Sequence, residues 1–351
     1  MQRELLMDEG SAMRRRLRHI LLVVSCALCC ITTQGHAQVL RGVVIDAESR
    51  APLPSVLVAL LDADGQERLR YLVDADGVFL FPLPGPGEYS VRAERLGTET
   101  STLDGILVGA DETVSVRIAM SIRAITLEGI EVQGESRCEL ARDAGANVQL
   151  VWDEARKVLT TQSLTDAEVR YRYNLQGYTR ELDPNSLAVV EESAQGIATS
   201  GQRPIVSLPA DVLLEDGFVL EDSEGMRYLA PDADVLLSER FLDTHCFTLR
   251  SGADEEEGLI GLEFRPQSVR SGITDIEGVL WLESESGHLQ RLDFRYRNLP
   301  GIAGELDSDR VGGRVEFRGL DNGTWIVSSW RIRMPIIPSY GRRCRPRARC
   351  S

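Results

Sequence analysis

The sequence predicts a mainly β protein in two parts: a small two-sheet sandwich, then a curved, half-barrel-like antiparallel sheet with two short helices. Three observations carry this. Residues 39–120 run in short alternating apolar and polar stretches broken by Asp-Gly and Pro-Gly pairs, as antiparallel strands joined by tight turns do. Beyond residue 146 the alternating stretches lengthen and are linked by pairs such as Ser286-Gly287 and Asn322-Gly323, which favour hairpins between neighbouring strands. Two stretches, 149–162 and 232–243, instead repeat their apolar residues at helical spacing.

In the first part the expected strands are 39–46, 55–62, 68–74, 77–82, 87–95 and 112–120. Asp64-Gly65 and Asp76-Gly77 read as turns, because Gly takes positive φ without a Cβ clash and Asp tolerates it. The run from Pro82 to Gly87 carries three prolines and reads as a rigid connection. Asp-x-Asp-Gly occurs at 62–65 and 74–77, which opens a calcium-loop reading. An EF-hand loop starting at Asp62 needs Glu at its twelfth position, where Val73 stands, so hairpin turns account for both repeats.

The second part follows a connection over 121–146, in which Ile125 to Val132 alternates as a bridging strand. In the first helix Leu150, Val151, Ala155, Val158 and Leu159 fall on one side, with Asp153, Glu154, Arg156 and Lys157 elsewhere. Pro231 and Asp232 start the second helix. Strands are expected at 168–173, 187–197, 259–264, 275–283, 288–296, 314–319 and 324–334. Such a sheet buries one face against the helices.

Composition bounds the function. The chain has 351 residues, 43% hydrophobic and 26% charged, enough for one large or two ordinary folding units. Its 54 acids against 39 bases give a formal charge of −15, which argues against a nucleic-acid partner. Among those bases only Lys157 is a lysine.

The amino terminus reads as an address. Arg14, Arg15, Arg16 and Arg18 precede the apolar run 20–31, and Gly35 and Ala37 stand where a signal peptidase needs small residues, so cleavage is expected after Ala37. The run is too short for a bilayer core, which takes about 20 residues. A lipoprotein reading at Cys26 leaves too short an apolar core. Cleavage leaves Cys138, Cys246, Cys344 and Cys350, and in an oxidising compartment the first choice of pair is Cys138 with Cys246. Cys344 and Cys350 lie in a basic tail over 338–351 and pair locally or not at all. No Cys-x-x-Cys remains to support a thioredoxin-like role.

The residue order also resembles a known family. Leu40-Arg41-Gly42-Val43-Val44-Ile45-Asp46-Ala47, Ala51-Pro52-Leu53-Pro54-Ser55-Val56-Leu57-Val58, Asp74-Ala75-Asp76-Gly77-Val78-Phe79-Leu80-Phe81 and Gly85-Pro86-Gly87-Glu88-Tyr89-Ser90-Val91 resemble the carboxypeptidase regulatory-like domain. That is a transthyretin-like sandwich found beside carboxypeptidases, in cell-surface proteins and ahead of the plug of TonB-dependent outer-membrane receptors. The sequence departs at Arg95-Leu96-Gly97, where an aromatic commonly follows the Gly. The resemblance implies an accessory module without catalytic residues. The stretches 278–296 and 323–335 resemble more loosely the paired hairpins of periplasmic half-barrels that carry lipids or lipoproteins.

Candidate chemistry is sparse. After signal removal only His245 and His288 remain. His245 beside Cys246 lacks a third zinc ligand at a recognisable spacing and reads as structural. His288 follows a turn and reads as solvent-facing. No Gly-x-Ser-x-Gly elbow, His-Glu-x-x-His helix or phosphate loop is present. Glu283 with Glu285, or the acids at 254–257, offer carboxylate pairs of the kind glycosidases use, but 254–257 is a charge run between strands and reads as a solvated loop. Arg291, Arg295 and Arg297 share strand parity and, with Trp281, are the candidate ligand contacts, because Arg binds carboxylate and phosphate in bidentate fashion. The alternative is cross-strand pairing with Asp293, Glu263 and Glu283. The expectation is an exported, non-enzymatic binding or assembly protein of the bacterial envelope, in the periplasm or at the outer-membrane surface. It needs no cofactor, and its partners are envelope proteins or an amphipathic ligand seated in a concave apolar pocket of the second part. A relative of TonB-dependent receptor amino-terminal regions, acting through protein contacts, and a peptidase accessory protein are the alternatives.

Overall fold

The computed structural model describes residues 38–121, 146–167, 171–183, 185–200, 205–222, 225–300 and 310–335. The expected signal peptide, the bridging strand, Cys138 and the basic tail with Cys344 and Cys350 lie outside the described residues.

The first unit is a seven-stranded sandwich: β1 (Val39–Asp46), β2 (Leu57–Leu61), β3 (Glu67–Leu72), β4 (Val78–Pro82), β5 (Gly87–Glu94), β6 (Ser101–Val108) and β7 (Thr113–Met120). One sheet has the order β4-β1-β7 and the other β3-β2-β5-β6. β1 and β7 run parallel, Val39 opposite Thr113, and parallel strands need a crossover rather than a hairpin. Leu40, Val44, Phe79 and Phe81 of one sheet meet Val58, Leu60, Val91 and Ala93 of the other in a shared core. The Asp-Gly repeats are turns: Asp62 Oδ1 accepts the backbone N–H groups of Asp64 and Gln66 at 3.0 and 2.9 Å, and Gly65 and Gly77 have φ of 76° and 66°. β6 is an addition to the predicted strands. Gly105 at φ 71° and a register shift opposite Tyr89 and Val91 break the alternation that would have marked it.

The second unit opens with α1 (Ala146–Ala167) and a hairpin of β8 (Tyr173–Leu182) and β9 (Val189–Ser200). Then follow α2 (Ala210–Asp216), a small hairpin of β10 (Val219–Asp222) and β11 (Gly225–Tyr228), α3 (Ala233–Leu237) and α4 (Glu239–Thr244). Its frame is a meander of β12 (His245–Ser251), β13 (Leu259–Pro266), β14 (Asp275–Glu283), β15 (Leu289–Arg297), β16 (Gly312–Gly319) and β17 (Trp325–Arg333). These six strands pair antiparallel in chain order, with β12 and β17 at the edges.

One face of this sheet, bearing Phe247, Leu262, Phe264, Leu280, Leu292, Phe294 and Val315, packs on Val151, Ala155, Val158 and Leu159 of α1 and on Val235, Leu236 and Phe241 of α3 and α4. Trp152 meets Phe247 with ring centroids 5.8 Å apart. The helices therefore cover much of the apolar face.

Three further expectations are corrected. The helix predicted at 232–243 is two, because Ser238 adopts an extended conformation (φ −67°, ψ 137°), ending α3 and capping α4. Its Oγ donates to Val235 O and accepts from Phe241 N–H. Of the strand predicted at 168–173, residues 168–170 lie outside the described residues, and Tyr171 and Arg172 precede β8, which starts at Tyr173. Glu154 and Lys157, read as lying off the buried side of α1, are buried at 0% and 4% exposure, because the sandwich covers that side of the helix.

Candidate binding cleft at the junction of the two units

The loop after β5 fastens the sandwich to α1. Gly97 has φ 67°, and a Cβ there would lie 3.0 Å from Ser286 O of the β14–β15 turn, so only glycine fits both the conformation and the approach. Its N–H donates to Glu154 Oε2 at 2.9 Å. Glu154 Oε1 accepts from Lys157 Nζ at 2.6 Å, and the same ammonium donates to Thr98 O at 2.9 Å. Nearby, Arg156 donates to Glu94 Oε1 at 3.1 Å across the junction, while Arg92 pairs with Glu94 from within the sandwich at 2.9 Å. On the other flank Ser55 Oγ donates to Asn322 O in the β16–β17 turn. Buried charges thus meet partners on the opposite unit, as burial requires.

Burial by itself would push the Glu94 carboxyl up; the charge and hydrogen bond of Arg156, then the charges of Arg92 and Arg70, outweigh it and hold the group below its ordinary value.

Between these contacts lies a cleft of about 380 Å³, within the ~300–1,000 Å³ typical of small-molecule sites. The sandwich supplies Ser55, Leu57, Glu94, Arg95 and Leu96. α1 supplies Lys157 and Thr161, and the sheet supplies His288, Gln290, Phe317, Arg318 and Trp325. Trp325 and His288 meet edge to face at 5.3 Å. The lining thus joins an aromatic and aliphatic wall to cationic and amide groups. His288, read as a free turn residue, stands in this cleft.

The predicted contact residues lie on the opposite, outward face of the sheet. Trp281 is 4% exposed and is flanked by Arg250 and Arg291, whose guanidinium carbons stand 5.7 and 5.6 Å from its ring. Arg291 pairs with Glu256 at 2.6 Å and with Asp293 at 2.9 Å. Arg297 pairs with Glu277 at 2.6 Å, and Arg295 pairs with the same carboxylate. Burial raises and both arginines lower the Glu277 carboxyl, with a net fall below its ordinary value. Parity placed the arginines together correctly. The structure gives each a carboxylate partner, with Glu277 and Glu256 in place of the Glu263 and Glu283 considered from sequence.

His245 is fully buried and stacks on Phe241 at 3.9 Å. Its Nε2 lies 3.4 Å from Asp275 Oδ1, and Arg270 holds the other oxygen of Asp275 at 3.0 Å. This is an internal brace at the root of β12. Cys246 beside it is 7% exposed. Among the described residues no group of three His, Cys, Asp or Glu is placed to hold a metal ion. Arg95, Lys157 and Arg318 were not singled out as site residues from sequence. The one available signal was a lone lysine three residues after Glu154 in an apolar helix.

The architecture is an accessory β-sandwich joined to a helix-backed antiparallel sheet. Residues 39–121 match the carboxypeptidase regulatory-like domain, and the first unit is such a domain. No curated protein matches the chain in sequence. Among solved structures, Klebsiella pneumoniae 5-hydroxyisourate hydrolase is similar at 20% identity over 24% of this chain and 86% of its own, with a TM-score of 0.20. Pseudomonas putida hydroxyquinol 1,2-dioxygenase is similar at 14% identity over 26% of this chain, which spans 58% of that protein, with a TM-score of 0.19. A DUF3823 family protein of Bacteroides uniformis aligns over 85% of this chain and 99% of its own at 11% identity and a TM-score of 0.20. Scores this low carry no argument about activity.

Proposed function

We propose that the protein is an exported, non-enzymatic binding or assembly protein of the bacterial envelope, and that it holds an amphipathic ligand in the cleft between the regulatory-like domain and the sheet. The observation that carries this is the composition of the cleft: residues from both units, with aromatic and aliphatic surface interleaved with polar and charged groups. The regulatory-like domain supports an accessory rather than catalytic role. The export reading rests on the amino-terminal pattern ending at Ala37. It agrees with a disulfide at Cys246, for which Cys138 is the proposed partner. Peptide mapping without reductant should recover a Cys138–Cys246 linked pair; Cys246 linked to Cys344 or Cys350 instead would refute the pairing.

The functional test is to express the full chain with export, purify it without reductant, and identify by native and denaturing mass spectrometry what remains bound. A stoichiometric small amphipathic molecule, lost on substitution of Thr161→Trp in the cleft, is the expected result. A protein that is empty in every preparation overturns the ligand reading and leaves docking to envelope proteins.

A further inference from the structure

Resting on the cleft as the ligand site, we infer that its ligand is a sugar acid, bound through its carboxylate by cations from both units. Lys157 lines the cleft yet is only 4% exposed. Its ammonium has three donors; Glu154 Oε1 at 2.6 Å and Thr98 O at 2.9 Å take two. The third is left for an occupant of the cleft. Arg95 from the sandwich and Arg318 from β16 line the same cleft, and neither is in an ion pair among the described residues. Arg92, Arg156, Arg291 and Arg314, by contrast, are matched to carboxylates. Three cationic residues thus line one cleft, Arg95 and Arg318 outside any ion pair among the described residues although Arg95 also acts on the Asp46 carboxylate; such a lining favours an anion, and the guanidinium fork fits a carboxylate.

The remaining lining describes what carries that carboxylate. The edge-to-face pair of Trp325 and His288, with Phe317 and Leu57, offers a surface for the C–H face of a ring. Gln290, Thr161 and the rim carboxylate of Asp321 offer donors and acceptors for hydroxyl groups. Glu94 is already neutralised by Arg92 and Arg156 and does not repel the ligand. An acyl chain would leave these polar groups unmatched at a cost, and a bare inorganic anion would leave the aromatic wall unused.

The test exploits the single lysine. With isotope-labelled lysine, the full chain shows one lysine side-chain NMR signal, that of Lys157. Glucuronate, glucose and inorganic phosphate are titrated in turn. Glucuronate is expected to shift the signal saturably, to bind at least tenfold more tightly than glucose, and to lose about tenfold in affinity in Arg95→Gln and in Arg318→Gln, with unfolding midpoints at the parent value. Equal binding of glucose removes the anion from the proposal and leaves the cleft reading standing. Equal binding of phosphate removes the sugar. No binding of any probe overturns the sugar acid and leaves the cleft to the co-purification experiment. Glucuronate binding that leaves Lys157 unmoved and survives both substitutions puts the ligand elsewhere and overturns both readings.

Discussion

Lys157 and Glu154 govern stability at the junction. Replacing Lys157 with Met removes the cation from a carboxylate that has 0% exposure and retains only the Gly97 N–H. The expected loss is about 3–5 kcal/mol, as for other broken buried pairs, read as a lower midpoint in chemical denaturation. Adding Glu154→Gln to that variant should recover part of it. Glu94 makes a pH prediction. Its folded pKa lies below the ordinary 4.5, so its contribution is complete above about pH 4.5 and is lost as pH falls through the folded value. The stability gap between the parent and Glu94→Gln should therefore be constant from pH 6 to 8 and close in acid. These residues were not legible as buried, because α1 taken alone has a polar side, and helical periodicity carries no information about a second unit packed there. His245 was legible as structural, since a lone His-Cys pair has too few ligands for a metal.

Strands and helices were readable where one face is buried and the other is not. β15 and β16 alternate buried and half-buried residues, and β13 to β17 were anticipated within a few residues. β12 was not, because five successive residues from His245 to Leu249 are buried on both faces, and such a run has no period of two. α2 is a single short element between Pro209 and Gly217, too brief for periodicity to register. The outward face of the sheet depends on one small residue in β13. A Cβ on Gly261 would lie 2.7 Å from Val279 Cγ1 and 2.9 Å from Trp281 Cζ3. Gly261→Val, although favourable for a strand by propensity, is expected to cost about 1–3 kcal/mol through overpacking. Thermal unfolding measures this, and the displaced indole should shift the tryptophan emission to the red.

Across the whole molecule the two units are joined by the Gly97–Glu154 and Lys157–Thr98 hydrogen bonds, the Arg156–Glu94 contact and the Ser55–Asn322 contact. They should unfold in one calorimetric transition, and Lys157→Met should split it into two by uncoupling the sandwich from the sheet. The two-part organisation was plain in the sequence from the change in strand length near residue 146. The cleft was not, because its lining comes from positions as distant as Ser55, Arg95, Lys157, His288 and Trp325, which only the docking of the two units brings together.

The scarcity and burial of lysine also decide how neighbouring proteins can be captured. Reagents that couple amines find only the chain's own α-amino group and one ammonium that is 4% exposed, already engaged by Glu154 and Thr98. Crosslinking by bis-succinimidyl esters, which need an amine at both ends, would return few products whatever stood beside it. The 54 acidic side chains make carboxyl-directed coupling the chemistry suited to this surface.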